Sequence, residues 1–96
     1  MPFEDLELRH LAALRSVAEE GSFIGAADAL GYSQAAISQQ IAALERCIGQ
    51  TVFDRPGGPK PVTLTAAGRL LLAHATAIAE RLDSARDELA DLASGM

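Results

Sequence analysis

Glycine and serine punctuation divides the first half of the chain into three helical pieces too short to be anything but neighbours in one small body. Leu8, Leu11, Leu14 and Val17, with Ala12 and Ala18, recur at helical spacing and predict a helix from about Glu4 to Glu20, ended by Gly21. Arg9, His10, Arg15 and Glu19 take the other faces, and His10 is expected to be a solvated surface histidine because no second ligand lies near it. Ser22 offers an N-cap oxygen to a short second helix, FIGAADAL, which stops at Gly31. Ser33 caps a third, SQAAISQQIAALERCI, which stops at Gly49 and carries Ile37, Ile41, Leu44 and Ile48 on one stripe. Two helices joined by Gly31, Tyr32 and Ser33 predict a helix-turn-helix, with Ala26 and Ala27 small enough for a close crossing.

The following stretch changes character. Thr51, Val52 and Phe53, then Val62, Thr63 and Leu64, are β-formers on either side of a tip of Pro, Gly, Gly, Pro, Lys and Pro. That predicts a hairpin, a wing on the helix-turn-helix, with a ladder shortened by prolines that lack a backbone donor. Thr65 then caps a last helix running to about Leu92, roughly 40 Å at 1.5 Å per residue. Along it Leu71, Ala75, Ile78, Leu82, Ala85, Leu89 and Leu92 alternate four and three residues apart, the pattern of a coiled-coil seam. The preceding segments are too small to cover the helix, so the seam is expected to meet a second subunit, the alternative being a helix packed wholly on its own domain. The expected fold is mainly α: residues 1–64 a winged helix-turn-helix of three helices and a two-stranded wing, and residues 65–96 a linker helix for dimerisation.

Composition narrows the function classes. The single cysteine, Cys47, excludes an internal disulfide and a multi-cysteine metal site, and is read as a small residue at a helix end. His10, His74 and Cys47 are too scattered for a metal centre, and no cofactor is expected. The first ten residues lack the basic flank and apolar core of a secretory signal, and no apolar run reaches the roughly 20 residues that span a bilayer. A soluble, cytoplasmic protein without a membrane partner is expected. No Gly-rich phosphate loop or convergent set of acids and bases points to an enzyme.

The net charge of −5 sits awkwardly with a nucleic-acid partner until it is divided. Residues 1–20 carry five acids and two arginines, and residues 65–96 five acids and three arginines. Between them Asp28, Glu45 and Asp54 balance Arg46, Arg55 and Lys60, so the middle is neutral. Charges farther away than about 10 Å are largely screened at moderate salt, so distribution outweighs the total.

The third helix keeps one face for the core and presents short or hydrogen-bonding side chains on the other. Ser33 and Ser38 can donate to phosphate, Gln34 and Gln39 can pair with adenine, and the methyls of Ala35 and Ala36 can meet thymine methyls in a major groove. Arg55 and Lys60 flank the wing tip, where a basic side chain can reach a minor groove or the adjacent phosphates. Ser22 and Thr65 are caps that can add phosphate contacts. Phe23 and Phe53 are read as core residues, and four aromatics are too few for stacking on single strands. The rival class is a winged helix that binds protein and has no affinity for duplex DNA.

The series LRHLAALRSVAEEGSF, AADAL, SQAAISQQIAALE, IGQTVFDR and LTAAG, in that order over about residues 6–90, resembles the amino-terminal domain of LysR-type transcriptional regulators. The resemblance implies sequence-specific binding of double-stranded DNA at imperfect inverted repeats by a bacterial regulator. It also implies a linker helix that pairs subunits into homodimers and, in full-length proteins, dimers of dimers. By position it assigns base and phosphate contacts to Ser33, Gln34, Ala35, Ala36, Ser38 and Gln39, with Arg55 in the wing. Ala35 departs from the proline of many members, Gln39 from a basic residue, and the wing is longer and richer in proline. Members carry an effector-binding domain beyond the linker helix, so the chain is expected to be a truncated piece lacking effector response.

Overall fold

A computed structural model describes residues 2–57 and 59–95. The order is a 3-10 turn over Phe3–Asp5, helix α1 (Leu8–Glu20), α2 (Phe23–Leu30), α3 (Gln34–Ile48), strand β1 (Phe53–Asp54), strand β2 (Thr63–Leu64) and helix α4 (Ala66–Ser94). It is a winged helix-turn-helix followed by a long helix.

The punctuation works as local chemistry demands. Ser22 Oγ accepts the Gly25 N–H at 2.9 Å, Ser33 Oγ the Ala36 N–H at 3.0 Å, and Thr65 Oγ1 the Gly68 N–H at 3.0 Å. Gly21, Gly31 and Gly49 close the first three helices in left-handed conformations. At Gly31, φ of 73° lets the chain reverse within the helix-turn-helix, a conformation a β-carbon would strain.

The core gathers Leu11, Leu14 and Val17 of α1, Ala26 and Ala27 of α2, Ile37, Ile41 and Leu44 of α3, and Val52 and Phe53 at the wing base. Ala75 of α4 completes it, with Leu71 and Leu72 packed alongside. Cys47 is buried near the end of α3 as a free thiol.

Four expectations meet the structure here, three as corrections and the short ladder as expected. Helix α1 begins at Leu8 rather than near Glu4, because Leu6 and Glu7 are extended and Leu6 packs against the core. His10 is buried, 5% exposed, not solvated. It lies four residues before Leu14 on the same stripe, and its Nδ1 accepts the Glu7 N–H at 3.0 Å. The ladder pairs only Phe53 with Leu64 and Asp54 with Thr63, leaving Thr51, Val52 and Val62 outside it. The Val62 N–H instead donates to Gly21 O at 3.1 Å, which ties the wing to the α1–α2 turn.

The fourth concerns α4. Ala75, expected on the outward seam, is 1% exposed within its own chain, and Leu71 is half-buried. At about 100° per residue, Leu71, Ala75, Leu82 and Leu89 lie within about 40° of one another, with Ile78, Ala85 and Leu92 beside them. What divides this side is distance from the body: at Ala75 it lies on the domain, whereas beyond it Ile78 is 39% exposed and Leu92 67%.

Candidate nucleic-acid interface

The start of α3 stands clear of the body. Ser33, Gln34, Ala35 and Gln39 are exposed, and Ala36 and Ser38 are half-buried where the outer face curves toward the core stripe of Ile37, Ile41 and Leu44. Ser33 Oγ uses a lone pair on Ala36, which leaves its hydroxyl proton available to an outside acceptor. Ser22, half-buried, caps α2 in the same way and keeps the same freedom. The helix N-terminus adds a positive dipole end and N–H groups without intrahelical partners.

Thr65 differs. Its hydroxyl donates to Thr51 O at 2.7 Å while accepting from Gly68, so the proton that a phosphate would need is already engaged inside the protein. Its side chain locks the wing to α4.

Arg55 and Lys60 are both exposed on the wing, and neither forms an ion pair among the described residues. Between the wing and the starts of α2 and α3 lies a cleft of about 480 Å³, lined by Phe23, Ile24, Gln34, Arg55 and Lys60 among others. The fold therefore brings Gln34, Arg55 and Lys60 around one opening. Gln39, further along α3, is not among the residues lining it.

The wing is braced at its base. The Val52 N–H donates to Glu45 Oε2 at 2.9 Å, and Arg69 Nη1 donates to Leu64 O at 3.1 Å, so α3 and α4 each hold one side. Phe23 and Phe53 meet edge to face, with centroids 6.0 Å apart. Phe53 is buried as expected, but half-buried Phe23 also turns a face to Arg55, whose guanidinium carbon lies 4.4 Å from the ring centre.

Two residues of this surface escaped the sequence reading. The sequence places Phe23 in the core alone, and nothing local links it to Arg55. Ile24, 61% exposed, reads in sequence as one more residue of an apolar helix. Its signal was present: it lies about 100° around α2 from Phe23, off the stripe formed with Ala26, Ala27 and Leu30.

The profile of the bacterial regulatory helix-turn-helix proteins of the lysR family matches residues 8–69. The SDS degradation transcriptional activation protein of Pseudomonas sp. (strain ATCC 19151) is 46% identical over 92 residues, covering 93% of this chain and 28% of that protein. The regulator ArgP of Pseudomonas aeruginosa (strain UCBPP-PA14) is 52% identical over 64 residues, covering 67% of this chain and 20% of its own length. The chain thus spans less than a third of either relative. The BenM_DBD/catB site 1 DNA complex superposes with a TM-score of 0.86 at 35% identity, covering 93% of this chain and 94% of that one. Full-length LysG from Corynebacterium glutamicum gives 0.85 at 30% identity, covering 95% of this chain and 31% of LysG. By profile, sequence and fold together, the chain belongs to the lysR family of bacterial regulatory helix-turn-helix proteins.

Proposed function

We propose that the chain is the DNA-reading part of a transcriptional regulator, with the start of α3 in a major groove and the wing toward the neighbouring minor groove. The observation that carries this is the exposed, uncharged amino end of α3 beside a wing that presents unpaired Arg55 and Lys60. Ser33, Gln34, Ala35, Ala36, Ser38 and Gln39 form the reading face, Ser22 adds a hydroxyl, and Arg55 and Lys60 meet the backbone or minor-groove edge. The likeness to BenM_DBD, whose structure is a complex with DNA, supports a DNA-binding role. The role is binding rather than catalysis, in the cytoplasm. No described helix is long and apolar enough to cross a membrane.

The open distal part of α4 pairs two copies, so the site read is an inverted repeat with one half for each subunit. Ile78, Leu82, Ala85, Leu89 and Leu92 form that interface. Ala75 is buried within its own domain, whereas half-buried Leu71 packs against the core and lies on the same side of the helix as that interface.

Selection of duplexes from a random pool, followed by titration with salt, tests the reading. The expected result is enrichment of a two-fold symmetric sequence and an affinity that falls steeply as salt rises. A chain without duplex affinity at low salt would be a protein-binding winged helix instead.

A further inference from the structure

Arg55 is held by a surface, not by a charge. Its guanidinium carbon sits 4.4 Å from the centre of the Phe23 ring, and no carboxylate pairs with it among the described residues. The ring is itself fixed on two sides. Phe23 opens α2 immediately after the Ser22 cap, and it meets buried Phe53 edge to face. The wing carrying Arg55 is pinned to the same turn by the Val62 N–H to Gly21 O bond.

A guanidinium resting on an aromatic face uses its π-surface and keeps the N–H donors in its plane. An ion pair would engage those donors, whereas an aliphatic neighbour would leave the long side chain free to rotate. Immobilising a flexible side chain before binding removes an ordering cost otherwise incurred on contact.

We propose that Phe23 is a positioning residue for duplex binding: its ring holds the Arg55 guanidinium at the mouth of the wing cleft, with its donors open to the acceptors of a bound duplex. This rests on the DNA-binding reading above. Phe23 touches no nucleotide in this scheme and acts only through Arg55.

The test uses the whole chain and a fluorescent duplex recovered by selection from a random pool. Phe23→Leu and Phe23→Met keep an apolar side chain without a ring, and both should weaken binding about three- to fivefold. Phe23→Tyr, which restores the ring, should bind like the wild type. In an Arg55→Ala background, Phe23→Leu should change affinity no further. Without DNA, the Arg55 Nε–H proton should show a ring-induced upfield shift in the wild type and Phe23→Tyr, and lose it in Phe23→Leu.

Equal losses from Phe23→Leu in the two backgrounds would overturn the proposal by assigning Phe23 to packing alone. An Arg55 signal unchanged by loss of the ring would overturn it as well. A wild type that binds no duplex overturns the DNA-binding reading and this proposal together. Duplex binding without coupling overturns this proposal alone.

Discussion

Gly68 stands against the carbonyl of Val52 so closely that a β-carbon at position 68 would overlap the oxygen. Leu64 closes the same gap from the side. Elsewhere in a helix, glycine to alanine gains about 1 kcal/mol. Here the sign reverses, because Val52 O also accepts the Thr65 N–H at 2.9 Å and has little freedom to withdraw. Gly68→Ala is expected to destabilise the protein by roughly 1–3 kcal/mol, read as a lowered urea midpoint. An unchanged or raised midpoint would show that the wing and α4 slide apart without cost.

Gln34 and Arg55 line the same cleft but should fail differently when truncated. Gln34→Ala is expected to lose roughly 1–3 kcal/mol of discrimination between a selected and a scrambled duplex. Arg55→Ala should weaken both duplexes alike and flatten the salt dependence. Competition binding at two salt concentrations separates the cases, and full discrimination by the Gln34 variant would remove that residue from base reading.

The docked and the open parts of α4 give paired predictions. Leu82 is 49% exposed and Ala75 1%. Leu82→Asp should shift the chain from dimer to monomer in sedimentation while leaving its helical circular dichroism intact. Ala75→Asp places a charge in the core and should lower the melting temperature instead. A Leu82→Asp dimer of unchanged strength would move the subunit contact elsewhere.

His10 makes stability depend on pH. Burial lowers the pKa of its imidazole below the ordinary value of 6.5, with Glu7 opposing the shift and Arg9 adding to it. The Glu7 N–H bond to Nδ1 also requires an unprotonated nitrogen there. The unfolded chain therefore takes up the proton more readily, so this stability is present above pH 6.5 and is lost as pH falls through the lower native value. His10→Gln keeps an acceptor for Glu7 but cannot titrate in this range. Urea midpoints measured from pH 8 to pH 5 should fall less for this variant than for the wild type; equal slopes would remove His10 as the cause.

What could be read from the sequence was what neighbours in the chain decide. Ser22, Ser33 and Thr65 all cap, and Gly21, Gly31 and Gly49 all terminate, because each acts within four residues. The apolar stripe of α3 and the exposed face opposite it followed from the same periodicity. The misreadings arose where long-range packing chooses among local options. Ala75 and Ile78 fit one four-three pattern, but only the docking of α4 on α1 shows that Ala75 turns inward. Val62 is a strand former whose N–H goes to Gly21 rather than to the ladder. His10 reads by residue type with the charged faces, although its spacing from Leu14 places it with the core. The contact of Phe23 with Arg55 joins α2 to the wing and has no local signature.

Helix α4 runs without interruption from the Thr65 cap to Ser94. Its first turns are clamped into the body, so it behaves as a stiff lever with the reading head bolted to one end. At 1.5 Å per residue the lever is about 43 Å long, and a tilt of roughly 10° at the far end swings the head by about 7 Å. That exceeds the rise of two base pairs. In the dimer proposed above, small leverage at the distal end would therefore translate into a different spacing between the two half-sites.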